Sequence, residues 1–422
     1  MTTTINNKHN KLNVPNSTDR GNVIRNVPHL RFPEFEGEWE KCKVSDLLDF
    51  YSTNSLSWDK LEYGTDAIQN LHYGLIHVGL PTMIDLSKDK LPNITNGNTP
   101  KNYELCQEGD IAFADASEDT NEVAKAVEFY KLNGKDVICG LHTIHGRDNQ
   151  QKTVIGYKGY AFSSTAFHHQ IRRIAQGTKI YSINSKNFSE CYIGIPSKEE
   201  QKKIATLLRL IDERIVTQNK VIEDLKKLKC AIIEMLYAEV KGTKYSYRQL
   251  FNIINERNKQ LEYSNVLSAS QEKGMVSRED LNLDIQFERS NINTYKIVRN
   301  GDYVIHLRSF QGGFAFSEKT GVCSPAYTIL RPNGLLVYGY LSYYFTSRDF
   351  IKSLIIVTYG IRDGRSINVD EWLDMKVVIP SKEQQTHIVN VIKSVENKIR
   401  NEETYLNCLS NQKQYLLRQM FI

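Results

Sequence analysis

Ser182-Ile183-Asn184, followed by Ile195-Pro196-Ser197-Lys198-Glu199-Glu200-Gln201-Lys202-Lys203-Ile204, returns as Ser366-Ile367-Asn368, followed by Ile379-Pro380-Ser381-Lys382-Glu383-Gln384-Gln385-Thr386-His387-Ile388. The spacing is constant: 184 residues from Ser182 to Ser366, and again from Pro196 to Pro380. Each copy runs on without Pro or Gly, one as far as Gly242 and the other to Ile422. A shared frame carrying divergent inserts describes one device built twice, each copy reading something different.

The frame predicts two long helices. Pro196 and Pro380 end a preceding strand, and Ser197 and Ser381 are placed as N-caps. Glu200 and Gln384 follow three residues later and complete a capping box in both copies. The apolar seam of the first helix is Leu208, Ile211, Ile215, Ile222, Leu225, Ile232 and Leu236. That of the second is Ile392, Val395, Ile399, Leu406, Leu409, Leu416 and Met420. Alternating steps of 3 and 4 make these coiled-coil seams. Polar residues interrupt both at matching places, Gln218 with Glu402 and Lys229 with Lys413. The cheapest partner for each stripe is the other copy in the same chain, present at high effective concentration. If a pseudo-twofold axis relates the copies, the helices run antiparallel, each of ~40 residues spanning roughly 60 Å. Pairing with a second chain is the alternative.

The 422 residues imply two or more domains. A net charge of +5 permits nucleic-acid binding without demonstrating it. The seven cysteines are scattered and include no CxxC pair, which fits small buried thiols in a cytosolic protein and argues against disulfides or a zinc site. No apolar run is long enough to span a bilayer. Met1 to Asn26, rich in Asn, Thr and Lys, reads as a disordered arm.

The expected fold is α+β: two mixed α/β domains separated by two long antiparallel coiled-coil helices, with a pseudo-twofold internal repeat. The boundaries are an arm at 1–26, a domain at 27–180, a central helix region at 181–240, a second domain at 241–365 and a C-terminal helix region at 366–422. Strands are expected at Asp110–Ala114 and Lys152–Ile155. Tyr103 precedes Gly109-Asp110 as Tyr295 precedes Gly301-Asp302, and Gly140–Ile144 aligns with Pro325–Ile329. The two domains therefore share one fold.

The chain resembles the specificity subunits of type I restriction–modification systems. The resemblance is carried by Val27-Pro28-His29-Leu30-Arg31-Phe32-Pro33-Glu34-Phe35 leading to Glu38-Trp39-Glu40, by the Ile-Pro-Ser-Lys-Glu-x-Gln helix entries, and by the Gly-Asp turns. Phe113 to Asp119, Gly140 to Thr143, Ser309 to Gly313 and Ser324 to Thr328 look like parts of target-recognition domains. The resemblance implies two such domains, each reading half of a bipartite, asymmetric DNA target, and helices that dock two methyltransferase subunits. Endonuclease/translocase subunits join that complex. S-adenosylmethionine, ATP and magnesium belong to those partners, with no cofactor or metal expected in this chain.

The residues themselves agree with a reader that catalyses nothing alone. The sequence holds no P-loop, no G-x-G-x-x-G, no Asn-Pro-Pro-aromatic signature and no H-E-x-x-H. DNA readers need Lys and Arg for phosphates and hydrogen-bonding side chains for base edges. The candidates are His142, His145 and Arg147 in one cluster, and His168, His169 and Arg172 in another. Arg257, Arg308, Ser309, Gln311, Arg362 and Arg365 lie in the second domain, and the family-like segments add Ser117, Thr143 and Tyr327. The competing reading is a coiled-coil adaptor with two protein-binding heads.

Rotation gives an expectation for the spacer. Four residues added to each long helix lengthen it by about 6 Å and turn its end by about 40°. One base pair turns DNA by about 34–36°. A matched insertion is expected to select a target gap one base pair longer, read by mapping methylated sites; an unchanged gap contradicts it.

Overall fold

The computed structural model describes residues 26–270, 273–280, 289–306, 313–359 and 366–422. All but one residue of the expected N-terminal arm lies outside them. The chain divides into two compact units: Met1–Asn219 with Tyr405–Ile422, and Lys220–Thr404. Each contains the start of one long helix and the end of the other.

The long helices cover Lys198–Ala238 and Lys382–Gln419. Ser197 and Ser381 cap them as expected, each Oγ accepting the backbone N–H three residues on at 3.3 Å. The first capping box is only half formed. The Glu200 carboxylate turns away from the cap and takes two N–H groups of Arg31, both at 2.8 Å. A bidentate charged pair outweighs a return bond to the backbone. Arg31 also donates to the carbonyls of Glu36 and Gly37, and the Leu30 amide donates to the Gln419 carbonyl at 2.9 Å. The Leu30-Arg31 segment thus joins the start of the first helix to the end of the second.

The next residue of each motif has the same task in both units. Buried Gln201 donates to the carbonyls of Pro196 and Lys152 and accepts from the Val154 amide. Gln385 repeats this with Pro380, Leu335 and Val337. One side-chain amide thereby satisfies three backbone groups that packing hides from water. This corrects the strand expected at Lys152–Ile155. Its amides are taken by Asp148 and Gln201 instead of a neighbouring strand, so the segment is a loop.

In the first unit the strands are β1 Glu40–Lys43, β2 Asp49–Tyr51, β3 Leu61–Glu62, β4 Gln69–Leu71, β5 Met83–Asp85, β6 Asn93–Ile94 and β7 Ile111–Ala114. They continue as β8 Ala116–Ser117, β9 Ala126–Lys131, β10 Val137–Cys139, β11 Thr143–Arg147, β12 Tyr181–Ser182 and β13 Tyr192–Ile195. One sheet runs β2-β11-β7-β9-β5 and another β10-β4-β6-β3. β7 is Ile-Ala-Phe-Ala, buried throughout, as a central strand covered on both faces requires. Phe113, Phe162, Phe167 and Phe188 pack edge to face beside it. Leu416, Leu417, Met420 and Phe421 complete this core, each large side chain contributing about 1.5–3 kcal/mol by burial.

The second unit has β14 Thr243–Ser246, β15 Phe251–Ile254, β16 Leu267–Ser270, β17 Gly274–Ser277, β18 Lys296–Val298 and β19 Tyr303–Ile305. They continue as β20 Phe314–Phe316, β21 Gly321–Cys323, β22 Thr328–Pro332, β23 Thr358–Tyr359, β24 Ser366–Ile367 and β25 Lys376–Ile379. β1 pairs with β13, and β14 with β25, in both cases antiparallel. Ile233 lies in this core, with Ile232, Leu236 and Tyr237 against it, and Trp372 stacks on Tyr247 at 4.2 Å.

Strand register corrects the alignment of Gly140–Ile144 with Pro325–Ile329 by one residue. The residue after each Gly-Asp pair, Ile111 or Tyr303, faces Gly146 or Leu330. Arg147 therefore corresponds to Arg331, and His145 to Ile329. A slip of one residue exchanges the two faces of a strand, so the difference decides which side chains are internal.

Every residue of both predicted seams is buried or half-buried. In each unit the partner's number falls as the helix advances: Asp212 meets Lys413 and Arg214 meets Tyr405 in one, Lys226 meets Glu403 and Lys229 meets Glu396 in the other. The helices are antiparallel there. The lysine interruptions are ion pairs anchored further by tyrosines. Asp212 binds Lys413 at 2.6 Å and accepts from Tyr160 at 2.8 Å; Glu396 binds Lys229 at 3.3 Å and accepts from Tyr343 at 2.8 Å. Burial, with the adjoining carboxylate, pushes both phenols above their ordinary range, so each remains a donor. The seam's apparent flaws therefore grip its own globular unit.

Candidate nucleic-acid interface

The first unit has a polar surface built from Asp115 just after β7, from β8 and from the turn before β11. His142 sits in that turn with φ of 55°, a conformation uncommon outside glycine. Thr143 stabilises the turn by donating to the Gly140 carbonyl at 2.6 Å. His142 remains exposed, its Nδ1 3.1 Å from Asp115 Oδ1. Its ring meets Tyr73, which adjoins His72 and His77, and Trp58 lies over His72 with centroids 4.5 Å apart. Burial, helped by His142, holds His72 below the usual histidine range. Its Nδ1 accepts the Gly74 amide and caps a short helix.

A second branch follows β8. Ser117 Oγ accepts the Asp119 amide, Asp119 accepts both N–H groups of Asn121, and Asn121 accepts from Arg172 at 2.9 Å. Arg172 also donates to Nδ1 of His169 at 2.7 Å, so that nitrogen carries no proton. Both stand on helix Thr165–Ile174, which turns His169 outward and His168 inward. Burial, with Arg172, lowers the His168 pKa. The segment 115–122, which holds Ser117, is therefore met by His142 on one side and by Arg172, with His169 behind it, on the other; His142, His169 and Arg172 are exposed.

Two of the proposed readers are internal, contrary to the sequence expectation. His145 is fully buried, with Nε2 2.7 Å from Asp110. Arg147 donates Nε and Nη2 to the same carboxylate at 2.9 Å, and reaches Glu104 at 2.7 Å and the Leu105 carbonyl at 2.8 Å. Burial alone raises a carboxyl, but His145, Arg147 and the Gln107 amide outweigh it and lower the Asp110 pKa. Neither side chain is presented to a base edge. Buried Thr143 is likewise committed to its own turn.

In the second unit Arg257 is exposed in a loop and pairs through its backbone with Lys296. Lys296 donates to the carbonyl of half-buried Tyr327 at 2.7 Å. Arg308, Ser309, Gln311, Arg362 and Arg365 lie outside the described residues. Asp302 repeats the Asp110 device, clasping Arg331 through Nε and Nη2 at 2.9 Å.

Residues 90–227 match the family model of the type I restriction modification DNA specificity domain. The matched residues run from just before β6 through about three-quarters of the first long helix, and so include His142, Ser117 and Arg172. A putative type I restriction enzyme MjaX specificity subunit from Methanocaldococcus jannaschii is 26% identical over 219 residues, 51% of this chain and 49% of its own. The chain thus matches about half the length of that curated relative. A solved chain from work on complex assembly and conformational transition of the type I R-M system superposes with a TM-score of 0.59 at 14% identity, over 90% of this chain and 96% of that one. An S subunit from M. genitalium has a TM-score of 0.49 at 15% identity, over 94% and 99%. The fold with two mixed domains and long helices is that of the first of these structures.

Sequence reasoning did not find Trp58, His72, Tyr73 or His77. The available signal was an exposed tryptophan in the polar stretch Asn54–Lys60, outside any apolar period. Two cysteines, Cys230 and Cys408, are exposed on the long helices, contrary to the expectation that all are buried. Among the described residues, no helix is long and apolar enough to cross a membrane.

Proposed function

We propose that this chain is the sequence-reading subunit of a type I restriction–modification complex, recognising a bipartite, asymmetric duplex through its two globular units. The observation that carries this is one frame used twice with different outer residues. Asp110 and Asp302, Gln201 and Gln385, and the two Lys–carboxylate–Tyr triads are the same internal devices. At the turn beside them the first unit presents His142, while register gives Ala326 as its counterpart. Internal sameness with outer difference is what reading two unlike half-sites demands.

The chain binds DNA and orients it; methyl transfer and cleavage belong to the subunits it docks. Two methyltransferase subunits and, through them, endonuclease/translocase subunits are the proposed partners, and S-adenosylmethionine, ATP and magnesium are theirs. The domains proposed for the two half-sites are 27–180 and 241–365.

The test is co-expression with the methyltransferase partner, followed by genome-wide mapping of modified adenine. One bipartite motif with a fixed gap is expected; scattered or absent modification contradicts the proposal. Binding to duplex DNA is expected to weaken with salt, log K falling by about 0.9 per phosphate contact for each tenfold rise in salt. Arg172→Ala or His142→Ala is expected to cost about 1–3 kcal/mol if the side chain reads a base. Arg172→Ala lowers the salt slope by about 1 if it meets a phosphate. Wild-type affinity and slope in both variants would remove this surface from the reading.

A further inference from the structure

Cys106 and Cys139 are 33 residues apart, and the fold brings their buried sulfurs to 3.6 Å. That is well beyond a covalent S–S distance of about 2.05 Å. It is close to the ~3.8 Å edge of a tetrahedron around a zinc ion with Zn–S bonds of about 2.3 Å. A ring nitrogen of fully buried His145 completes a group whose three ligand atoms lie within 4.8 Å of one another. Asp110 is already held by two N–H groups of Arg147, so it accepts at His145 and Nε2 carries the hydrogen. Nδ1 is buried and without a hydrogen-bond partner, and in the neutral ring it carries the lone pair a metal would take. A carboxylate on one ring nitrogen is the usual means of orienting an imidazole whose other nitrogen binds a metal.

The second unit supplies the comparison. Leu105 faces Ile138 as Ile297 faces Val322, so Val298 stands where Cys106 does and Cys323 where Cys139 does. Ile329 stands for His145. Val298, Cys323 and Ile329 are fully buried in one apolar cluster. The fold therefore needs no polar group here. A buried imidazole with an unmatched lone pair and a second thiol raise the cost of the same position unless something binds them.

We propose that Cys106, Cys139 and His145 hold one thiophilic divalent cation, with zinc the ion that fits, and that a water completes the shell. Two thiolates balance its charge, while Asp110 and Arg147 balance each other. β10 belongs to the four-stranded sheet and β11 to the five-stranded sheet, so the ion pins the two sheets of this unit together. Its burial gives it a structural task, independent of what the surface reads.

The full chain, purified under reducing conditions without chelator, is expected to carry about one zinc per molecule, measured by elemental mass spectrometry. Cys106→Val and His145→Ile reproduce the second unit's side chains and can pack without the ion; each is expected to lower bound zinc at least tenfold. Cys191→Ser, at a buried thiol outside the group, is expected to retain it. Should the variants fail to fold, cobalt(II) added to zinc-depleted wild type provides the second measurement, with thiolate-to-cobalt charge-transfer absorption expected. Wild type that takes up neither zinc nor cobalt, zinc retained in the Cys106→Val/His145→Ile double variant, or a Cys106–Cys139 disulfide in the reduced preparation overturns the proposal.

Discussion

Asp110→Ala is expected to destabilise the first unit by about 3–5 kcal/mol, the range for breaking a buried charged pair from one side. Four bonds converge on this carboxylate, from His145, twice from Arg147 and from the Gln107 amide. Removing it leaves a buried guanidinium whose nearest alternative is the half-exposed Glu104, and a buried imidazole whose Nε2 has nothing to meet. The same substitution at Asp302 is expected to cost less, because Arg331 keeps 33% of its side-chain surface in water. Bulk denaturation of a chain with two compact units need not follow a two-state course. The measurement is therefore native-state hydrogen exchange, reading the protection of β7 and β11 against that of β19 and β22. Equal losses in both units would show that the internal pairs contribute no more than exposed ones.

Asp212→Ala is expected to cost about 2–4 kcal/mol through a different route. It strands Lys413, whose side chain is 18% exposed, and removes the acceptor of the Tyr160 hydroxyl. Replacing both charges with apolar residues, Asp212→Leu with Lys413→Met, is expected to recover most of that loss, since no unpaired charge remains. The double-mutant cycle gives the coupling directly, expected at about 1–3 kcal/mol. Glu396 and Lys229 offer the same cycle in the second unit, with smaller values because their contact is longer and more exposed. Additive single effects would mean that these pairs do not set the helix pairing.

Much of the frame was legible because its signals are local. A serine before a charged run, an apolar stripe at helical spacing and a Gly-Asp turn act within a few residues, and each landed where expected. Gln201 and Gln385 were in the motif, yet their role was hidden, because two of the three backbone groups each satisfies lie about 50 residues upstream. Glu200 was assigned to the cap, and Arg31, 169 residues away, took it instead. The candidate reading surface was only half legible. His142, His145 and Arg147 look alike in sequence, but strand alternation and pairing with Asp110 turn two of them inward. A short apolar stretch at Val154-Ile155 resembled a strand because composition says nothing about whether a neighbouring strand exists.

The amino-acid order by itself determined that there are two long helices, where they begin, which stripe they bury and that their entry motif recurs after 184 residues, because turns, caps and periodicity are short-range properties of the chain. Tertiary structure alone decided which histidines and arginines face outward, which acids receive Lys413 and Lys229, and that Cys106, Cys139 and His145 share one buried point. Those outcomes depend on strand register and on contacts between distant segments, and a shift of a single residue in register would have exchanged the inner and outer faces.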